Sequence, residues 1–281
     1  MTPPPDVTVI VPTYGRPDRL AACLEALAGQ EGVSFEVVVV DDGSVPPVDG
    51  IVANSRLGER ARCLLQDNAG PAAARNAGAA AARGPLLAFT DDDCRPEPGW
   101  LAAMRRAHEA APEALLGGRT LNGVEGNLYS AASQDLIGFL ETEDRAYFAS
   151  NNLACPAAGF RALGGFGDGF PLAGGEDRDF GLRWSASGRA LLPVADAVVV
   201  HHHVLGPRSF WRQHANYGRG ARHMRTLGAG GGGHRFASAL WYARLVSWPL
   251  RTGQPRGLRR AALLGVAQAA AAWGFATPAR R

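Results

Sequence analysis

Two largely apolar runs in the first hundred residues each end in a group of carboxylates. Phe35 to Val40 stops at Asp41-Asp42, and Leu86 to Thr90 stops at Asp91-Asp92-Asp93. A strand that is apolar on both faces is typical of a parallel sheet that helices cover on each side. Ligands of such sheets bind beyond the carboxyl ends of the strands. The two runs therefore predict buried parallel strands whose polar ends share one rim.

Helical patterns alternate with the strands. The β-branched run Val7 to Val11 precedes an amphipathic helix with Asp18 as its predicted N-cap, and the alanine-rich stretch Pro71 to Arg83 predicts a second helix. A weaker strand is predicted at Arg62 to Leu65, and a later strand, Ala195 to Val200, runs into three histidines. Strand and helix in alternation predict an α/β fold with a Rossmann-like, doubly wound, mostly parallel sheet.

The Asp91-Asp92-Asp93 cluster has two interpretations. Adjacent carboxylates repel one another, and a divalent cation with oxygen ligands relieves that repulsion. In extended geometry Asp91 and Asp93 would project to one side and hold such a cation together. The alternative is a solvated turn in which Asp93 caps a helix. The shared rim favours the metal site.

Composition excludes several classes of protein. All 29 basic residues are arginine, so the chain has no Walker A, Schiff-base or protein-kinase lysine. A net charge of +3 does not by itself indicate a nucleic-acid partner. The four cysteines have no zinc-binding spacing and are predicted to be reduced. The amino-terminal residues do not read as a signal peptide, and a cytoplasmic location is expected.

The composition changes after Gly206. Phe210 to Arg225 interleaves arginines with aromatic residues, Gly228 to Gly233 reads as a linker, and two apolar segments follow, Phe236 to Leu250 and Ala261 to Ala276. Each is shorter than a membrane-spanning helix. They are interpreted either as core helices or as a peripheral contact with the inner face of the cell membrane. The predicted division is a catalytic domain, 1–205, and a basic, apolar helical region, 206–281.

Six short motifs stand in an order that resembles family 2 glycosyltransferases, which have the GT-A fold of a nucleotide-binding half and an acceptor half. The resemblance covers about Val7 to His203. The motifs are Val9-Ile10-Val11-Pro12-Thr13-Tyr14, Val39-Val40-Asp41-Asp42-Gly43-Ser44, Asn68-Ala69-Gly70-Pro71 with Arg75-Asn76, Thr90-Asp91-Asp92-Asp93, Gly175-Glu176-Asp177 and the strand that ends at His201.

The resemblance implies a donor site for a nucleotide-diphosphate sugar. Pro12, Tyr14 and Asp42 would line the pocket for the base and ribose, and Arg75 would contact the diphosphate, with Asp91 and Asp92 also on the donor side. Other interpretations stay open at this point. Tyr14 also fits a core aromatic, Asp42 a turn beside Gly43, and Arg75 the exposed surface of a helix.

The resemblance also implies a metal site and a base. Asp93, helped by Asp91, would hold Mg²⁺ or Mn²⁺, with His201 or alternatively His203 completing the site. Asp177 would remove the proton from an acceptor hydroxyl, and Glu176 would orient the base or the acceptor. Transfer of one sugar with inversion is expected. The acceptor is left open between a lipid carrier, a glycan, a small natural product and a protein.

Two other functions are weighed against this one. A nucleotidylyltransferase of related fold would also use aspartate and Mg²⁺, but its first loop is normally glycine-rich and basic, unlike Pro12-Thr13-Tyr14. A non-catalytic, sugar-nucleotide-binding relative is the other alternative. Arg183-Trp184 lacks the glutamine of the Gln-x-x-Arg-Trp motif found in polymerising relatives, which argues against processive synthesis.

Overall fold

The computed structural model describes residues 3–143, 147–167, 169–170, 174–226 and 238–277. Within these ranges eight strands form one mixed sheet in the order β3-β2-β1-β4-β7-β6-β8-β5. The strands are β1 (Val7–Thr13), β2 (Phe35–Asp41), β3 (Ala61–Leu65), β4 (Leu86–Thr90), β5 (Cys94–Pro96), β6 (Leu115–Asn122), β7 (Asn152–Pro156) and β8 (Leu191–His201).

Ten α-helices and a short 3-10 helix, Gly58–Arg60, accompany the sheet within the described ranges. The α-helices are α1 (Pro17–Ala28), α2 (Asp49–Ala53), α3 (Pro71–Ala80), α4 (Trp100–Ala110), α5 (Leu128–Glu143), α6 (Ala157–Ala162), α7 (Glu176–Ala186), α8 (Pro207–Thr226), α9 (Ala239–Arg251) and α10 (Gly257–Ala276). Helix α1 begins one residue before Asp18, which lies in its first turn rather than at its N-cap, because Pro17 occupies the first helical position.

Successive residues of the central strands enter opposite layers of the core. Val9 and Val11 of β1 join a cluster with α1, α2 and α4, whereas Ile10 joins a second cluster with α3, α6 and α7. Leu86 and Leu87 of β4 divide in the same way. Helices therefore cover both faces, which confirms the doubly wound α/β fold and explains the continuously apolar strands.

The shared rim is also confirmed. Strand β1 pairs in parallel with both β2 and β4, and the register sets Thr13 opposite Asp41. Tyr14, Asp42 and Asp91 consequently leave their strands at the same edge of the sheet. The remaining strands bring direction changes that the sequence did not predict, because β7 runs antiparallel to β4 and to β6.

The glycine-rich stretch Gly159 to Gly175 begins with helix α6, where Phe160 is buried against Phe89 and Phe180. The part at 168 and 171–173 lies outside the described residues, as does the predicted linker Gly228 to Gly233.

The C-terminal helices pack closely on the rest of the chain. Glycines bring α8 and α10 into backbone contact, since a Cβ on Gly218 or Gly274 would collide with a carbonyl of the other helix. Arg260 of α10 donates to both carboxylate oxygens of Asp135 on α5, with 2.6 Å between Nε and Oδ2. Among the described residues, the helices are too short or too polar for any one of them to cross a bilayer.

Candidate active site

The aspartate cluster forms a tight turn. The Cys94 N–H donates to the Asp91 carbonyl over 3.0 Å, and the chain then enters β5. The sequence predicted an extended segment in which Asp91 and Asp93 project to one side. That prediction was wrong, because the chain turns between Asp91 and Cys94 and the two side chains leave the turn in different directions. Each of the three carboxylates consequently meets a different set of partners.

Asp93 lies between two histidines from the end of β8. Its Oδ1 is 3.2 Å from His201 Nε2, and its Oδ2 is 3.1 Å from His203 Nδ1. Burial would raise the pKa of Asp93, but the hydrogen bonds and charges of the two histidines outweigh it and hold that pKa well below its usual range. Arg19 also donates to Asp93 Oδ2 over 3.1 Å.

The Asp93-His201-His203 cluster fits a divalent metal ion. One ligand atom from each residue lies within 4.8 Å of the other two, close enough to share a cation. Imidazole nitrogen and carboxylate oxygen together suit Mn²⁺ and other first-row metals. The sequence left His201 and His203 as alternatives, and the structure brings both to Asp93. Asp91 lies outside this cluster, so its part in metal binding stays a prediction.

Gln213 of α8 holds His203 of this cluster through the ring nitrogen that faces away from Asp93. Its Oε1 lies 2.9 Å from His203 Nε2, while its Nε2 donates to Ser133 Oγ over 3.1 Å and to Tyr217 Oη over 2.8 Å. With the Gln213 carbonyl oxygen facing it, His203 Nε2 is the nitrogen that carries a proton, which would leave the Nδ1 lone pair for a cation bound between Nδ1 and Asp93. Histidine ligands of metals are normally oriented in this way by a second hydrogen bond.

Asp92 points in another direction. It is buried, accepts from Thr13 Oγ1 over 2.8 Å and from Arg16 Nη1 over 3.1 Å, and so fastens the end of β1 to the turn. Burial raises the pKa of Asp92 to about 6, with Arg16 opposing the rise and Asp93 adding to it. The role predicted for Asp92 in donor binding is untested.

Asp91 begins a buried chain of charges that crosses the site. Arg75 donates to Asp91 Oδ1 over 2.6 Å and to Glu176 Oε1 over 3.3 Å, and its guanidinium lies 5.8 Å from the centre of the Phe166 ring. Arg75 is 4% exposed, which rules out a position on the helix surface. A guanidinium with two carboxylates and little water is a rigid link, because neither acid is stable there without it.

Glu176 and Asp177 open helix α7. Glu176 is buried and accepts the Gly174 N–H over 2.8 Å in addition to Arg75. Asp177 accepts the N–H groups of Arg178 and Ser150. Burial raises the pKa of Asp177 to about 7, and the charge of Glu176 adds to the rise. A carboxyl with that pKa exchanges protons near neutral pH.

Further acidic groups surround Asp177. Burial raises the pKa of Glu141 to about 8; the Ala149 N–H that it accepts opposes this rise, and the charge of Asp177 adds to it. Burial and the charge of Asp177 also raise the pKa of Tyr147 and Tyr217. Glu141 comes from α5 and Tyr217 from α8, so both the middle and the C-terminal parts of the chain enclose this carboxyl.

The predicted base-and-ribose residues lie at the same rim but differ in exposure. Pro12 is buried within β1, and Tyr14 is 58% exposed, which excludes a core position. The Asp42 carboxylate accepts the Ala69 and Gly70 N–H groups over 2.8 and 2.9 Å and so organises the loop before α3. Their contacts with a nucleotide remain a prediction.

Several neighbours of the site were not predicted from the sequence. Arg16 and Arg19 carried a partial signal, since Arg16 lies between the first strand and α1 and Arg19 lies in the first turn of α1. Gln213, Tyr217 and Glu141 carried none, because they reach the site only through the packing of α5 and α8 on the sheet.

The chain was compared with protein families and with individual proteins. The model of glycosyl transferase family 2 matches residues 8–163. That stretch includes Asp91 to Asp93 and ends before Glu176. The pre-mycofactocin glycosyltransferase of Mycobacterium tuberculosis is 32% identical over 232 residues, which are 77% of this chain and 47% of that protein.

A second relative is the validoxylamine A glucosyltransferase of Streptomyces hygroscopicus subsp. jinggangensis, 30% identical over 220 residues, 66% of this chain and 52% of that protein. The chain thus spans about half the length of these curated relatives.

Two solved structures share the fold. The mannosyltransferase PcManGT from Pyrobaculum calidifontis, in complex with GDP-Man and Mn²⁺, has a TM-score of 0.62 at 20% identity and covers 96% of this chain and 76% of its own. Residues 1–349 of TarS from S. aureus, in complex with UDP-GlcNAc, give 0.62 at 19% identity and cover 87% and 72%. Since the family model matches more than half of the chain, the chain belongs to glycosyl transferase family 2.

Proposed function

We propose that this chain is a metal-dependent, inverting glycosyltransferase that moves one sugar from a nucleotide-diphosphate sugar to an acceptor hydroxyl. One observation carries the proposal: the site holds two carboxylates, Asp93 and Asp177, in opposite electrostatic environments. Asp93 lies among imidazole and guanidinium groups, and Asp177 lies among other acids. Transfer from such a donor needs a cation site for the leaving diphosphate and a base for the acceptor.

Asp93, His201 and His203 are the proposed metal ligands. A bound divalent cation would neutralise the negative charge that develops on the leaving nucleoside diphosphate. Mn²⁺ is the preferred candidate over Mg²⁺, because two of the three donors are imidazole nitrogens. Arg16 and Arg19 add positive charge on the same side, 3.1 Å from Asp92 and Asp93 respectively.

Asp177 is the proposed general base. Its raised pKa suits it to accept a proton from a hydroxyl at neutral pH, as the oxygen attacks the anomeric carbon. Attack from the face opposite the leaving group inverts the anomeric centre in a single displacement. Glu176 supports this arrangement from the next position, held by Arg75 and the Gly174 N–H.

Donor recognition is assigned to the remaining rim residues. Exposed Tyr14 and buried Pro12 would contact the base and ribose, with Asp42 fixing the adjacent loop. Arg75 and Asp91 would face the diphosphate and sugar, with Asp92 holding the metal turn to β1. The nucleotide and the sugar are not specified by these contacts.

The acceptor class follows from the relatives by analogy. Their names connect them with mycofactocin and validoxylamine A, which supports a role in natural-product biosynthesis. A role in cell-envelope glycan or glycolipid biosynthesis is the other part of the proposal. Peripheral contact of residues 206–281 with a membrane belongs to the same proposal. No nucleic-acid partner is proposed.

The proposal is tested by thermal unfolding with UDP, GDP or dTDP, each in Mn²⁺ or in EDTA. One nucleotide should raise the Tm in Mn²⁺ and lose that effect in EDTA, because a ligand that binds the folded state stabilises it by mass action. Asp93→Asn should remove the metal-dependent part, whereas exposed Asp67→Asn should not. Absence of a Tm shift with all three nucleotides would contradict the proposed donor site.

Two outcomes would favour the alternative functions. Binding of one nucleotide without any transfer to a panel of hydroxyl acceptors would indicate a non-catalytic sugar-nucleotide-binding protein. Release of pyrophosphate from a nucleoside triphosphate and a sugar phosphate would indicate a nucleotidylyltransferase. Where transfer occurs, NMR of the product's anomeric proton tests inversion.

A further inference from the structure

Charge is divided unequally along the chain. Residues 206–281 contain thirteen of the 29 arginines and none of the 26 acidic residues. Residues 1–205 are consequently acidic in balance, and the small net charge of the whole conceals a strongly positive C-terminal region. A surface of one sign attracts a partner of the opposite sign and repels its own copies.

Helix α10 presents an apolar face to solvent, which we define as Leu258, Ala262, Val266, Ala269, Trp273 and Ala276. These residues recur every three or four positions, so they share one side of the helix. All six are exposed, with Leu258 at 76% and Trp273 at 57%. Among the exposed positions of α10, which is described throughout, Arg259 alone is charged. An exposed apolar stripe of this length indicates an interaction surface.

Arginines stand at both ends of the apolar face. At its start, a groove of about 460 Å³ is lined by Leu250 and Leu258 together with Arg256 and Arg259. At its end, Arg222 of α8 donates to the carbonyl oxygens of Phe275 and Ala276. Apolar side chains flanked by cations are the arrangement of a helix that lies in a membrane interface.

Helix α8 adds to this surface. Its exposed positions include Arg208, Trp211, Arg212 and Arg225, with Trp211 at 42% exposure. Tryptophan is favoured at the headgroup level of bilayers, and arginine attracts anionic headgroups. Helix α8 packs against α10 by glycine contacts, so both helices belong to one layer.

We propose that α10 docks by its apolar face on the surface of an anionic phospholipid bilayer, with the surrounding arginines on the headgroups. Charge decides between the occupants: a second copy docked face to face through its own α10 would present the same positive charge, and a nucleic acid would leave the apolar face uncovered. This docking refines the membrane contact included in the proposed function. It rests on that function only for its biological role, because lipid binding is measured without any sugar transfer.

The experiment sediments the full chain with phosphatidylcholine vesicles, with or without 30% phosphatidylglycerol. Binding is expected only to the anionic vesicles and should fall as salt is raised, because exposed charges are screened. Arg256→Gln with Arg259→Gln should weaken binding about fivefold per arginine removed, whereas the matched exposed pair Arg56→Gln with Arg106→Gln should not.

The apolar part has its own variants. Leu258→Ser with Trp273→Ser should lower binding to anionic vesicles at least tenfold, while Leu65→Ser, 61% exposed on β3, should leave it unchanged. Circular dichroism checks that each variant folds. Equal binding to neutral vesicles, absence of vesicle binding, or a dimer that the Leu258 and Trp273 changes dissociate would overturn the proposal.

The same preparations also separate the two proposals. Each variant prepared for the vesicle experiment is also tested for the Mn²⁺-dependent rise in Tm with nucleotide. Absence of vesicle binding with that shift intact would contradict the lipid-binding proposal alone. Absence of the shift with vesicle binding intact would contradict the donor-site proposal alone.

Discussion

Asp93 and Asp177 are two aspartates at opposite ends of one site, and their surroundings shift their pKa values in opposite directions. Two histidines and an arginine keep Asp93 ionised, whereas burial beside Glu176 raises the pKa of Asp177 to about 7. Carboxylates acquire different roles through environment rather than through type. Under the proposed function this contrast would divide the site into a cation-binding end and a proton-accepting end, joined by Asp91, Arg75 and Glu176.

The largest expected effect comes from removing the proton acceptor. Asp177→Asn should lower the rate of transfer by about 10²- to 10⁴-fold, because general base catalysis typically contributes that much. The Mn²⁺-dependent nucleotide shift in Tm should persist, since Asp93 is untouched. Steady-state turnover is the measurement, with exposed Asp67→Asn as control. Intact turnover would exclude Asp177 as the base.

The link between the two ends is tested by Arg75→Gln. Asp91 and Glu176 would lose their shared cation in a buried setting, which typically lowers the free energy of unfolding by about 3–5 kcal/mol. Urea denaturation measures this. Arg56→Gln is the matched control, because Arg56 pairs with Glu25 on the exposed surface and such pairs contribute about 1 kcal/mol or less. Equal losses in the two variants would mean that Arg75 is not a structural link.

At the cation-binding end, Gln213 can be changed without touching a proposed ligand. Gln213→Leu should weaken Mn²⁺ binding about 10- to 100-fold, the usual effect of losing the group that orients a metal-bound histidine. Electron paramagnetic resonance of free Mn²⁺ gives the affinity directly. Gln213→Glu, which keeps an acceptor beside His203 Nε2, should restore most of it. The same loss in both variants would point to packing and not to hydrogen bonding.

The smallest effect concerns the pH dependence of stability. A carboxyl whose pKa is raised by folding binds its proton more tightly in the folded state. The contribution of Asp177 is therefore full below about pH 4, the ordinary aspartate value, and is lost as the pH rises to about 7. Asp177→Asn should flatten that part of the profile of Tm against pH. Turnover of the unaltered chain should rise over the same interval as Asp177 ionises.

Much of the fold and part of the site followed from the sequence. The apolar strands, the parallel register and the shared rim depend on local patterns, and all were confirmed. The resemblance to family 2 glycosyltransferases, and no local pattern, implied that His201 or His203 lies near Asp93, and the structure brings both of them to it. The direction of each aspartate could not be predicted, since it depends on the turn closed between Asp91 and Cys94.

The residues that were missed share a physical cause. Gln213 reaches His203 from the neighbouring helix, and Glu141 reaches Asp177 from α5, so their contacts arise from helix packing and leave no spacing to read. Strand β7 was missed because its five residues, Asn152–Pro156, include no β-branched or aromatic side chain and end in proline, so the composition that indicated β1, β2 and β4 is lacking. The predicted division at residue 205 likewise takes no account of these contacts, and it stays a prediction.

Helix α8 makes the two parts of the chain difficult to inherit separately. Gly220 packs on the backbone of Gly174, which precedes Glu176, and Gln213 holds His203. A chimaera that joined residues 1–205 to the helices of a relative would keep both carboxylates yet lose the groups that hold the histidine and the α7 entry in place. Exchange of the C-terminal helices between such proteins would therefore require α8 and the rim residues that it contacts to change together.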